Sequence, residues 1–232
     1  MTKVTDSPSW LFPLLFLSSP SRPIGSFAFS GGMESFAAHG LVRDRESLLS
    51  YLTELARYGY ARTELPLLAR CFRACLARDP KALARWDRLS LALRESEEFL
   101  LEERELGAST MRLARSHGLL PGFLEEDGPQ PLGYVAATAA LACGLGLGEG
   151  DLGPLLSAFL WALIEGQVTA ASKSVPLGQA ASQAALLGLS EGLPALVGES
   201  LSVQDDGIGT SLPMRAILSA RHETSPARMF RS

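Results

Sequence analysis

From Glu46 to Tyr60 the apolar residues Leu48, Leu49, Leu52, Leu55 and Ala56 recur at steps of three and four, which predicts an amphipathic helix. Leu65, Leu68, Phe72, Cys75 and Leu76 repeat the pattern and predict a second. Pro80 stands where a first helical turn tolerates proline and opens a third run through Leu83, Trp86, Leu89 and Leu93. That run is expected to reach about Gly107, with a further helical piece to His117. Residues 118 to 131 carry Gly118, Pro121, Gly122, Gly128, Pro129 and Pro131 and read as a loop. Beyond it, helices are expected over 132–145, 152–172 and 177–189. The middle one, with Leu155, Leu156, Phe159, Leu160, Trp161, Leu163 and Ile164, is apolar almost all round, which assigns it to the centre of a bundle. No stretch alternates in the manner of a strand. The pattern therefore predicts an all-α fold, a single-domain helical bundle over 1–220.

Two apolar segments raise other possibilities. Trp10 to Leu17 resembles a short signal-peptide core, but Pro13 interrupts it and no small-x-small cleavage site follows cleanly, so a buried first element is expected. Pro129 to Gly148 has no charge and approaches bilayer-spanning length, yet Gly, Ala, Thr and Gln dominate it. A closely packed buried helix is the better reading, although a membrane-associated helical protein is the alternative it raises. With 232 residues, 47% of them apolar, the chain can fill a substantial core. A net charge of −4 argues against a general nucleic-acid binder. The three cysteines, at 71, 75 and 143, are too sparse for a disulfide framework and fit a reducing cytoplasm. Cys71 and Cys75 share a helix face, where core packing is favoured over metal binding.

Candidate chemistry lies on surfaces. No catalytic constellation, cofactor motif or metal-ligand spacing emerges: His39, His117 and His222 lack paired-ligand spacing, and Gly166 to Ser174 is one residue too long for a phosphate-binding loop, with Ser172 where glycine is needed. Glu95, Glu98, Glu102 and Glu105 follow steps of three, four and three, aligning four carboxylates on one helix stripe. Such a stripe is a solvated face, a docking strip for a basic partner, or a transient cation site; carboxylates alone favour hard ions over nickel. A metal-dependent enzyme built on Glu98 and Glu102 is the corresponding alternative function. Lys173 is a lone charge ending an apolar helix, suited to its C-terminal dipole. Gln179 and Gln183 share a face after Pro176 and Gly178, at a helix start or beside a polar passage. Gly25, Gly31 and Gly32 suggest a shaped turn leading into a helix near Glu34. Finally, residues 221–232 gather Arg221, His222, Glu223, Arg228, Phe230 and Arg231. An end this short buries too little to offset its ordering entropy, so it is expected to be a mobile C-terminal tail until a partner holds it.

Four strings in order resemble the urease accessory protein F family (UreF). They are Pro23-Ile24-Gly25-Ser26-Phe27 with Ser30-Gly31-Gly32-Met33-Glu34, the weaker Arg94 to Arg104, Val175-Pro176-Leu177-Gly178-Gln179 with Gln183, and Arg221-His222-Glu223-Thr224 with Arg228 to Ser232. They span roughly residues 11 to 232. The resemblance implies an all-helical, non-catalytic accessory factor for nickel urease, typically a homodimer. It would bridge a D- or H-type accessory scaffold and the GTPase UreG, which supplies the nucleotide chemistry, in delivering nickel to apo-urease. It implies a cytoplasmic protein with no stably bound cofactor, nickel being cargo of the assembled complex. Residues 221–232 would meet the scaffold, and Lys173 is a candidate contact to the GTPase. Departures from the family pattern are Pro226 in place of a common Tyr, Ser174 before Val175, and Gly31 in place of a polar residue.

Overall fold

The computed structural model describes residues 7–126, 131–209 and 212–232. Its described residues form twelve α-helices and no strand. In chain order these are α1 (Leu11–Ser18), α2 (Met33–Ala38), α3 (Arg45–Glu54), α4 (Glu64–Leu76), α5 (Pro80–Ala92) and α6 (Glu97–Ser116), followed by α7 (Phe123–Glu126), α8 (Tyr134–Gly144), α9 (Leu152–Ser174), α10 (Gln179–Ser190), α11 (Leu193–Leu201) and α12 (Pro213–His222). Local chemistry sets several of these boundaries. Asp44 caps α3 by accepting from the Ser47 N–H at 2.9 Å, and α3 runs on into a π-helical turn over Leu55–Tyr60. Asp79 caps α5 through the N–H groups of Lys81 and Ala82, with Pro80 at the first helical position.

The third apolar run does not continue into the acidic segment as the periodicity predicts. It breaks between Ala92 and Glu97, because Ser96 turns extended and its hydroxyl accepts from the Phe99 N–H at 3.1 Å, starting α6 afresh. Glu95 therefore precedes α6, and the stripe on that helix is Glu98, Glu102 and Glu105. Nor does α6 stop at Gly107; it passes straight through to Ser116.

The centre of the bundle is α8, whose residues Tyr134 to Ala142 are all buried, packed between α4 and α6. Alanines make this possible, since small side chains let neighbouring helices approach closely. α4 contributes Leu65, Leu67, Leu68, Cys71, Phe72 and Cys75 to the same core. Both thiols are buried there, and burial pushes Cys75 up to about 12, so they act as apolar fillers. α9, expected at the centre, forms a second layer carrying α1, α2, α10 and α11. With the turn before it, α9 is long and apolar enough to cross a membrane by length and composition, but half of its most apolar stretch is buried inside the fold. α1 is only partly the buried element expected: Leu14 and Leu17 face α9, while Phe12 is 69% and Leu15 55% exposed.

Candidate functional site

Gly31 and Gly32, both left-handed with φ of 56° and 91°, turn the chain into α2. At Gly31 a side chain is excluded twice over, since a Cβ there would lie 2.4 Å from Gln167 Nε2. Gln167, a buried amide in apolar α9, donates to the Ser30 carbonyl at 3.0 Å and accepts from Tyr51 Oη at 3.3 Å. This holds Ser30 against α9, and the Ser30 hydroxyl accepts from the Glu34 N–H at 3.3 Å. α12 approaches the same place, with Ser219 Oγ 2.7 Å from Ser96 Oγ and the Glu97 N–H donating to Glu223 at 2.9 Å.

Residues 221–232 then fold back across these elements. His222 is buried, with Nδ1 2.9 Å from both Glu98 oxygens and Nε2 3.2 Å from Glu34 Oε2, off the line of a hydrogen bond. Arg228 Nη1 donates to Glu98 at 3.0 Å. The backbone N–H groups of Met229 and Phe230 donate to the two Glu34 oxygens at 2.8 and 2.9 Å. Phe230 is 6% exposed, and Lys173 Nζ lies 5.4 Å from its ring centroid. Arg231 forks onto Glu105, and its N–H donates to the Ala28 carbonyl at 2.9 Å. Ser232 donates to Glu102 at 2.8 Å, while its backbone oxygen accepts from the Ser30 N–H at 3.1 Å and from the Ser30 hydroxyl. Burial pushes the Glu102 carboxyl above its ordinary range, and the Ser232 hydroxyl and Arg215 pull it partly back.

The tail lies docked on the fold. Three carboxylates one helical turn apart, Glu98, Glu102 and Glu105, hold Arg228, Ser232 and Arg231 respectively. The stripe is covered by the tail, and the tail keeps one face, with Arg221 and Arg228, toward solvent. A metal-dependent site at Glu98 and Glu102 finds no support, since both carboxylates are taken up by the tail. Among the described residues no group of three or more His, Cys, Asp and Glu is placed to hold a metal ion.

A second charged cluster lies beneath. Arg94 pairs with Glu64 at 2.7 Å and Glu103 at 3.4 Å, and Glu103 also accepts from Ser90 and from the Val135 N–H. Burial would lower the proton affinity of Arg94; the carboxylates of Glu103 and Glu64 more than reverse this. Asp87 accepts from the Gly133 N–H at 2.8 Å, which seats the start of α8. Burial pushes its carboxyl up to about 6, against the pull of that N–H, with Glu103 adding to the rise.

The UreF family model matches residues 42–190. The chain belongs to the UreF family. A relative named urease accessory protein UreF from Chromohalobacter salexigens is 41% identical over 97% of this chain and 96% of its own length. Similarly named relatives from Pseudomonas putida strain W619 and Teredinibacter turnerae are 40% and 34% identical, each over 96% of this chain.

In this UreF-family chain the tail residues, Glu98, Glu102, Glu105 and Lys173 come together in one site. Gln179 and Gln183 are exposed on α10 and share no hydrogen bond with these residues. Arg221 is exposed at the end of α12. Sequence reasoning gave no role to Glu34, Gln167, Arg215 or Ser30. Gln167 had a visible signal, a lone amide in an apolar helix. Arg215, which donates to the Gly31 carbonyl at 3.1 Å and stacks on Phe99, had none.

Proposed function

We propose that this chain is a non-catalytic accessory factor in urease maturation, acting by bridging a D- or H-type accessory scaffold and a UreG-type GTPase on apo-urease. Family membership and relatives named as urease accessory proteins support the process. The observation that carries the bridging role is the tail, 221–232, seated on Glu34, Glu98, Glu102 and Glu105. A docked tail has an outward face, on which Met229 is 65% exposed and Arg221 and Arg228 reach solvent. That face is rigid before a partner arrives, so less ordering entropy is lost on association. Arg221, His222, Glu223, Arg228, Phe230 and Arg231 thereby form the scaffold-facing element, His222 and Phe230 from beneath. Lys173 at its edge is the GTPase-side candidate, and Gln179 and Gln183 extend that side along α10.

Nickel in this reading is cargo of the assembled complex, and GTP hydrolysis belongs to the partner. The exposed apolar residues Phe12 and Leu15 on α1, with Phe27 at 72% exposure, support a homodimer. The setting is cytoplasmic, with neither nucleic acid nor membrane as partner. The test is nickel-dependent urease activation in cells with the intact chain and a chain ending at Ala220, alongside pull-down of scaffold and GTPase. Loss of activation and scaffold capture by a folded truncated chain is expected. Full activity after truncation would remove the tail from the mechanism.

A further inference from the structure

Gln167 is the one polar side chain among the buried residues of α9. Its orientation follows from what its neighbours can offer. The Ser30 carbonyl only accepts, so the amide presents Nε2 to it at 3.0 Å, which leaves Oε1 for the Tyr51 hydroxyl at 3.3 Å. Tyr51 is braced in turn by Phe36 of α2, the ring centroids lying 4.5 Å apart. Only a glycine at position 31 lets the amide come this close.

The Ser30 carbonyl and the Gly31 N–H belong to one peptide unit, which is planar and trans, so the two groups point in opposite directions. Drawing the carbonyl toward Gln167 therefore aims the N–H the other way, where it donates to Ser232 Oγ at 3.2 Å. Ser232 Oγ then donates to Glu102. Glycine resists rotation of the plane less than any other residue, so at Gly31 the orientation has to come from neighbours. Arg215 holds the next carbonyl, that of Gly31, at 3.1 Å, but among the described side chains Gln167 is the one bonded to the Ser30 carbonyl.

We propose that Gln167 is a positioning residue for the tail: by fixing the Ser30–Gly31 peptide plane it decides, from inside α9, whether Ser232 finds its donor and the chain end seats. The proposal deepens the reading of residues 221–232 as the scaffold-facing element, and it rests on that reading for its bearing on partner capture.

The test is amide hydrogen exchange on the full-length chain carrying Gln167→Met, which fills similar space without a donor. The N–H groups of Gly31, Met229 and Phe230 are expected to exchange about tenfold faster, the order expected for one lost hydrogen bond, with α4 and α8 amides unchanged. Ser232→Ala removes only the hydroxyl and separates positioning from packing: in that background Gln167→Met is expected to quicken residues 229 and 230 less than about threefold, because both changes break the same link. Tyr51→Phe removes only the brace on the amide and is expected to quicken them about threefold. Unchanged rates at 229 and 230 in Gln167→Met, a full effect persisting in the Ser232→Ala background, or equal quickening of α4 and α8 amides would overturn the proposal. So would unchanged rates in Tyr51→Phe, which is the deciding result if Gln167→Met does not fold. Scaffold pull-down with the chain ending at Ala220 tests the partner role separately, and failure of that role leaves the expected exchange rates as they stand.

Discussion

Phe230→Ala tests whether the tail is held by its own chain. The Phe230 ring is 6% exposed, and an aromatic side chain of this kind buries at least about 150 Å². At about 25 cal/mol per Å² the truncation removes roughly 3 to 4 kcal/mol. The loss falls on the docked segment rather than the whole fold, because α4, α6 and α8 keep their packing, and a short terminal segment opens on its own. Three kcal/mol corresponds to an opening equilibrium shifted about 100-fold. Amide hydrogen exchange reads this directly, since the N–H groups at 229 and 230 donate to Glu34 and are protected only while the tail is seated. Exchange at these two amides is expected to quicken about 100-fold, with α4 and α8 amides unchanged. A change below threefold, in a folded protein, would refute the claim that Phe230 anchors the segment. Quickening throughout the chain would refute the claim that the tail opens separately.

Glu98→Ala leaves buried His222 and the Arg228 guanidinium without their shared acceptor and is expected to lower stability by about 2 to 3 kcal/mol in urea unfolding, whereas Arg228→Ala, at a side chain 42% exposed, is expected to lose less than about 1 kcal/mol. Asp87 is raised to about 6 in the folded chain by burial, so the fold holds its proton more tightly than the unfolded chain does, and its contribution to stability, full below about pH 4, declines as pH rises to about 6 and stays lost above that. Asp87→Asn keeps an acceptor for the Gly133 N–H without the charge and is expected to remove up to about 3 kcal/mol of that decline; parallel stability profiles for the two proteins between pH 4 and 7 would show that Asp87 does not cause it. Gly107→Ala is expected to destabilise by more than about 2 kcal/mol despite the better helix propensity of alanine, because its Cβ would lie 2.1 Å from the Leu132 carbonyl oxygen; a melting temperature equal to or above the wild type would show that α6 and α8 can part without loss.

Gly107 also explains one limit on what the chain's pattern reveals. A glycine inside a helical run reads as a terminator, and by propensity alone it is unfavourable there. It persists in the middle of α6 because the backbone at Leu132 and Gly133 crosses at that point, a contact between residues some 25 positions apart in sequence that no local window contains. The converse error sits at Leu93, where the three-and-four spacing runs on past the true end of α5. Ser96 followed by Glu97 and Glu98 was the available sign of a new helix start, a capping hydroxyl with acidic residues in the first turn. Helix type and most spans were legible because most of these helices bury one stripe. Which helix is surrounded was not, because α8 gains its place through alanines, whose small size matters only once two neighbours are known.

The site was legible as two halves and not as one. A row of carboxylates on a helix and a basic tail ending in an aromatic were each apparent, and each read alone suggested an external partner. Joining them requires knowing that α2 and α12 bring residues about 130 positions apart to the same helix face, as in the pair Arg228 and Glu98. Once joined, the pairing inverts the energetics of both. Like charges along α6, which repel on an isolated helix, become the reason the tail is seated, and the entropy that would keep the tail free is offset by Phe230 and the Glu34 hydrogen bonds. A partner engaging this tail therefore has two routes with opposite consequences. Binding its outward face leaves the Glu34 bonds intact and slows exchange at residues 229 and 230, whereas peeling the tail away exposes Glu98, Glu102 and Glu105 and quickens it. Only the second route needs affinity enough to replace a buried phenylalanine, so the exchange rates of these two amides in the complex decide between them.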